Sequence, residues 1–358
     1  LDYDDPVVPL RRNLYGHPLA GLFWEKYCHE RIIRCGFEKV KGWECLFVHP
    51  ERGCFLSIYV DDFKLAGPKD QLAHIWKELG NLITLEPPVP LNHNTYLGCT
   101  QQDVVVPEML VEEKRVLIQK YSSPKSEVAA NNPSPGETLA GQGETSGRRS
   151  DSVKPVHGWH YDMNGHATQC VENYCELTGE KESTFKRVET PCIDDHQLTP
   201  DDMVQRGVLH KDCARIVLKI LYLARIGRPD LLWSVNCLAR DVTKWTVACD
   251  KRLLRLISYI HFTRLWTQTC FVGDKAKNCQ LAMFADASFA GDLSDSKSTT
   301  GGYLCLIGPR TFVPLSWICK KQTAVSHSST EAEVISLDTN VRLEVCLLYT
   351  SDAADECL

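Results

Sequence analysis

Apolar positions recur at roughly helical spacing through LAGLFWEKYCHERIIRCGF, where Leu22, Trp24, Tyr27, Cys28 and Ile32 mark one side and Gly36 follows as a stop. The pattern then shortens. ECLFVHP and CFLSIYV read as two strands around the turn residues Pro50 to Gly53, and FKLAG after Asp61 and Asp62 reads as a return strand. Helical spacing resumes over 69–84, with Leu72, Ile75, Trp76 and Leu79 at i, i+3, i+4 and i+7. Later, CARIVLKILYLAR sets Ala214, Val217, Leu218 and Leu221 in one stripe, widened by Ile220 and Leu223 into a largely buried helix. Gly227 and Pro229 stop it, and Pro229 with Asp230 opens a second helix, LLWSVNCLARDV. A third, KRLLRLISYIHFTR, turns Leu253, Leu256, Ile257 and Ile260 inward and leaves Lys251, Arg252, Arg255 and Tyr259 outward. That outer face is either simply solvated or a surface that tracks nucleic acid. The last block reads strand, strand, strand, helix: LAMFADASF, GGYLCLIG, PLSWICKKQ and TEAEVISLDTNVRL.

Between the periodic segments, residues 122–155 are small, polar and rich in Pro and Gly, without aromatics. They form a flexible linker or a long surface insertion and mark the clearest break in the chain. The fold class expected is α+β, divided at 1–121, 122–155, 156–275, 276–345 and 346–358. With 358 residues, 43% hydrophobic and 24% charged, the chain can bury more than one core. The net charge of −6 argues against a protein that merely coats nucleic acid, although carboxylates grouped around metal ions would add local negative charge. Seventeen cysteines without framework spacing, no secretory signal and no apolar run of about 18 residues point to reduced thiols in the cytosol or nucleus, without a membrane span. His157, His160, Cys170 and Cys175 fit no common zinc spacing, so packing is the favoured reading over a metal site.

Two groups of carboxylates carry candidate chemistry. Asp61 and Asp62 in SIYVDDF follow an apolar strand where the chain turns back. Adjacent like charges are costly, and a divalent cation shared with substrate phosphates would offset that cost, as in two-metal phosphoryl transfer; a polar hairpin turn is the plain alternative. The second group is Asp286 in FADASFAGD, followed three strands later by Glu331 and Glu333 at a helix start. Ser328-x-x-Glu331 and Thr330-x-x-Glu333 are also capping boxes, so either glutamate could simply seal the helix. Lys320 and Lys321 read as a solvent-exposed strand end, with phosphate contact as the second reading.

These strings together resemble the pol polyprotein of copia-type LTR retrotransposons. YVDD on a hairpin is a reverse-transcriptase signature. LRRNLYGHPLAGLFWEK resembles the family's LYGLKQAPRAW stretch, NTYLGC its FLG element, and ARIVLKILYLARIGRPDLLWSVNCLAR its paired helices around TRPDI. FADASFAGD, KSTTGGYL, LSWICKKQ and SSTEAEV resemble the family's ribonuclease H strings over 282–337. The resemblance implies a partial reverse-transcriptase palm, a helical thumb or connection region and a truncated ribonuclease H-like α/β domain. It implies Mg²⁺ at Asp61 and Asp62 and again at Asp286 with Glu333, or with Glu331 in its place. Tyr59, Val60, Tyr96, Leu97 and Gly98 would lie toward the primer.

The implied partners are an RNA template, a DNA primer and the RNA–DNA hybrid, with possible assembly with other polyprotein chains. The implied location is a virus-like particle in cytoplasm and nucleus. The family's first palm aspartate lies upstream of the LYG segment, where LDYDDP lacks the matching strand. The match also fades near Val345, and CLLYTSDAADE reads like translated sequencing-adapter DNA. The expectation is therefore a fragment inactive in both reactions. The alternatives are a decayed or domesticated remnant that binds nucleic acid without catalysis and, less well matched, a metal-dependent phosphatase.

Overall fold

The computed structural model describes residues 16–122, 154–291 and 295–345, and these fall into two compact units that divide between Pro90 and Leu91. In the first unit, α1 (Ala20–Arg34) precedes an antiparallel meander of β1 (Glu38–Lys39), β2 (Leu46–His49), β3 (Cys54–Tyr59) and β4 (Asp62–Ala66), and α2 (Lys69–Leu82) follows. Side chains alternate along β3: Cys54, Leu56 and Ile58 are buried while Phe55 and Tyr59 are exposed, as a strand with one covered face requires. Phe47 sits opposite Leu56 on that face, and Cys28 and Ile32 of α1 with Ile75 and Leu79 of α2 complete the core. The strands and helices read from the pattern of residues 20–82 all form.

The second unit is built on one seven-stranded antiparallel sheet, in the order β5 (Thr95–Tyr96), β6 (Cys99–Val106), β7 (Val156–Asp162), β8 (Gln268–Val272), β11 (Thr311–Lys321), β10 (Thr299–Gly308), β9 (Gln280–Ser288). Its helices are α3 (Glu108–Ser122), α4 (Asn164–Thr178), the short α5 (Pro200–Val204), α6 (Cys213–Ile226), α7 (Leu232–Arg240), α8 (Val247–Thr263) and α9 (Ser329–Asn340). Helices α4, α6, α7 and α8 share one apolar cluster, in which Ile216, Val217, Ile220, Leu223, Val235, Leu253, Leu256 and Ile257 are fully or almost fully buried. Each such side chain contributes about 1.5–3 kcal/mol of transfer free energy. Tyr161 and Trp317 of the sheet pack against this cluster. Val156, five positions from Tyr161 on β7, points to the other face, where it meets Val106, Val111 and Phe271 beneath α3.

The sequence-based limits at 121 and 275 do not coincide with this division. Residues 91–121 belong to the second unit, because β6 pairs with β7 from Thr100–Asp162 to Val106–Val156, across the whole polar segment. Of 122–155, residues 123–153 lie outside the described residues, as do 1–15 and 346–358, but its two flanks are joined in one sheet. It is an insertion within a unit, the second of the two readings its composition allowed. Composition reports missing apolar payload and says nothing about where the chain ends meet. The strands β9, β10 and β11 form as read, yet their sheet continues through β8. Among the described residues no helix is long and apolar enough to cross a membrane.

One reading of α8 changes. Tyr259, placed outward beside its charged neighbours, is buried, its ring under Trp266 and the Arg228 guanidinium. Arg228 itself is buried. Its Nε and Nη2 donate to the two Asp230 carboxylate oxygens at 2.9 and 2.8 Å, and its Nη1 and Nη2 donate to the Thr263 carbonyl and hydroxyl at 3.0 and 2.7 Å.

Removing one partner strands a buried charge. Asp230→Ala is expected to lower the unfolding free energy in urea by about 3 kcal/mol, near the lower end for such pairs because Asp230 keeps some solvent. A loss below about 1 kcal/mol would show that water replaces the carboxylate.

A second expectation concerns pH. His166 on α4 is half-buried, its Nε2 meets the Lys219 carbonyl at 2.9 Å, and burial holds its pKa below the ordinary 6.5. A histidine depressed in the folded state takes up its proton more readily when unfolded, so stability is lost as pH falls below 6.5. The thermal midpoint should drop between pH 7 and pH 5.5, and His166→Gln should shrink that drop; equal drops in both proteins would exclude His166 as a source.

Candidate functional site

The Tyr59–Asp62 pair closes the β3–β4 hairpin around a two-residue turn, Val60–Asp61. Val60 takes φ +58°, a left-handed conformation that a β-branched side chain adopts only under constraint and that glycine normally fills in such turns. The constraint comes from α1: the Trp24 indole N–H donates to the Val60 carbonyl at 2.6 Å. Tyr59, Val60, Asp61 and Asp62 all lie exposed at the tip, so the aspartates are held together in water by a backbone that costs energy to keep. Trp24 was legible only as a core position of its helix. Its bond crosses 36 residues, beyond any local pattern.

Tyr96, Leu97 and Gly98 form a second tight hairpin, in the other unit. Tyr96 pairs with Cys99, and the turn residues Leu97 and Gly98 have φ +51° and +73°, the geometry that matches strand twist in two-residue loops. The Tyr222 hydroxyl of α6 donates to the Leu97 carbonyl at 2.5 Å, which fastens this hairpin to the helical cluster.

Asp286 lies exposed on β9, the edge strand, opposite Gly301 of β10. Helix α9 covers the other face of these strands. Its Ser336 hydroxyl donates to the Asp286 carbonyl at 2.7 Å, its Asn340 amide donates to the Gly301 carbonyl at 3.0 Å, and Asn340 fills the space where a Cβ on Gly302 would stand. Gly302 and Asp286 lie on opposite faces by strand alternation, so the helix grips the backbone of Asp286 while the carboxylate points away. There it borders a groove with Leu232, Trp233, Thr299, Tyr303 and Trp317.

Of the two glutamates on α9, Glu331 is used as a cap. Its N–H donates to Ser328 Oγ at 3.1 Å and its carboxylate accepts the His327 N–H at 2.7 Å. Glu333 is exposed. The structure thus does not bring Asp286 onto one face with either glutamate. Among the described residues no group of three or more His, Cys, Asp or Glu side chains is placed to hold a metal ion. Asp61 and Asp62 could supply oxygen ligands to a hard cation, but no third described carboxylate joins them.

The remaining candidates are engaged within the fold. On α8, Lys251 pairs with Asp202 at 2.6 Å and Arg252 with Asp195 at 2.8 Å, while Arg255 donates to the Thr190 carbonyl at 2.9 Å. The chain's own 190–202 segment therefore takes up the face offered as a nucleic-acid track. The His160 ring lies between the Thr267 and Thr269 hydroxyls, and burial pushes the Cys170 thiol up to about 12. Both belong to packing.

The chain is 28% identical over 344 residues to the putative transposon Ty5-1 protein of Saccharomyces cerevisiae, an alignment covering 94% of this chain and 89% of that protein. It is 35% identical over 176 residues to the retrovirus-related Pol polyprotein from transposon RE2 of Arabidopsis thaliana, covering 47% of this chain. It is also 35% identical over 137 residues to that from RE1, covering 38%. It spans only 11% and 9% of those two polyproteins. No family model matches the chain, and no solved structure matches it. Similarity along nearly its whole length to a transposon protein, and over part of its length to two Pol polyproteins, agrees with the YVDD and STEAE strings and supports a copia-type retrotransposon Pol fragment.

Proposed function

We propose that this chain is the part of a Pol polyprotein that carries the catalytic hairpin of RNA-directed DNA synthesis, with a ribonuclease H-like region behind it. The observation that carries the reading is the Val60 turn, where strain is kept to present Asp61 and Asp62 side by side in solvent. Backbone strain persists where surrounding structure over-determines it, and such positions cluster at functional sites. In the parent polyprotein the two aspartates would hold Mg²⁺, whose chemistry there is to neutralise charge on the transferring phosphates. Tyr59 and Val60, with the Tyr96–Gly98 hairpin, would serve the primer strand.

For the ribonuclease H-like region, the resemblance would pair Asp286 with Glu333, which this fold leaves on different faces of the sheet. The position of α9 across the sheet from the Asp286 side chain favours a second reading of this region, in which it binds nucleic acid without cutting it.

In the parent polyprotein, Asp61→Asn or Asp62→Asn should reduce primer extension at least about a hundredfold, the scale lost when one preorganised electrostatic partner is removed. Full extension by both variants would sink the proposal. The turn makes a separate expectation. Val60→Gly removes about 1–2 kcal/mol of left-handed strain and adds about 0.5–1 kcal/mol of chain entropy, so the thermal midpoint should hold or rise while extension falls. A lower midpoint would show that Val60 is not strained.

A further inference from the structure

One stripe of α7 has no place in the readings above. Trp233, Asn236, Cys237 and Arg240 stand at i, i+3, i+4 and i+7, on the side away from the buried Leu232, Val235 and Leu238. They form one wall of a groove of about 370 Å³ whose other wall is the end of β11, with Cys319, Lys320 and Lys321. The walls are fixed to each other, since the Asn236 side chain donates to the Cys319 carbonyl at 2.9 Å. Trp317 donates to the Ala224 carbonyl at 2.9 Å, tying the same strand to α6. The groove runs on, through the shared residues Trp233, Thr299 and Cys319, into the one bordered by Asp286.

Three cations, Arg240, Lys320 and Lys321, line this groove, on a chain whose formal charge is −6. Lys321 shares its charge with Asp295 at 2.8 Å and Arg240 donates to Cys237 Sγ at 3.3 Å, and both Lys320 and Arg240 are exposed. Trp233, 44% exposed, presents an aromatic surface where the two grooves join. Cations that follow a backbone beside an aromatic platform are the two elements that single-stranded nucleic acid needs: phosphates meet the charges and a base stacks on the ring.

We propose that this groove binds a single strand of nucleic acid, with Arg240 and Lys320 on its phosphates and Trp233 stacked on a base, and directs it along the sheet toward Asp286. The assignment deepens the nucleic-acid reading of the ribonuclease H-like region and rests on it, but it is independent of the Asp61–Asp62 hairpin.

The test is binding of a fluorescent twelve-nucleotide single-stranded DNA by the full 358-residue chain, read by anisotropy over a salt series. Arg240→Gln with Lys320→Gln should weaken binding about tenfold at low salt and flatten the slope of log Kd against log salt by between one and two. Trp233→Leu should weaken it by a similar factor with the slope unchanged, because stacking releases no counterions. Both sites are exposed, and circular dichroism checks that the variants fold. A control pair on the other unit, Lys26→Gln with Lys77→Gln, should change neither affinity nor slope. Equal affinity in the groove variants and the parent chain would overturn the groove while leaving primer extension in the parent polyprotein untouched. Weakening by the control pair to the same extent would also overturn it, since binding would then follow overall charge. Absence of any binding at low salt would overturn the groove together with the non-cutting reading of this region.

Discussion

Burying a guanidinium is tolerable only when every donor finds a partner, and the second unit is organised around such a case. Arg228 sits where α6 has ended and α7 is about to begin. Asp230 takes one edge of its fork, and Thr263, at the end of α8, takes the rest. Its flat surface also lies near the rings of Tyr259 and Trp266. Three helix ends are thereby set relative to one another by a planar group whose geometry lysine could not reproduce. The apolar cluster supplies most of the free energy, but apolar contacts are non-directional. The fixed angles of the Arg228 fork select one arrangement of α6, α7 and α8. That arrangement holds Trp233 and Arg240 over the sheet and Tyr222 against the Leu97 turn.

The two hairpin turns show how such constraints are spent. Both have two residues and both place a non-glycine at positive φ in the first turn position, Leu97 and Val60, but the Leu97–Gly98 turn follows it with a glycine at positive φ and the Val60–Asp61 turn does not. The first serves attachment, through the Tyr222 hydroxyl. The second is held by an indole from a helix distant in sequence, and it is the turn that exposes two carboxylates. A mutation that relaxes the turn and one that removes a carboxylate therefore act on different links of the chain from structure to function.

In the second unit β9 is the sheet edge, and α9 contacts the backbone of β9 through Ser336 and that of β10 through Asn340. The missing side chain at Gly302 lets the helix approach closely. The side chain of Asp286 is thereby free to face the groove under α7. In this arrangement the chemistry open to the region depends on what that groove holds.

Period and punctuation in the sequence were enough to place α1, α2, α6, α7, α8 and α9 and the strands from β2 to β4 and β9 to β11, because each carries its own apolar stripe or alternation and its own stop. The candidate carboxylates were legible too, since Asp61, Asp62 and Asp286 sit in strings specific enough to name a family. Other features were settled only in three dimensions. The seven-stranded sheet joins β6 to β7 across an insertion and β8 to β11 across nearly forty residues, and pairing of that kind leaves no local signature. The burial of Tyr259, the pairing of the α8 cations with the 190–202 segment and the use of Glu331 as a cap followed from neighbours remote in sequence or from a choice between two equally good capping boxes. The face presented by Asp286 was decided in the same way: strand alternation sets its parity, but only the packing of α9 determines which face is covered and which stays open to a ligand.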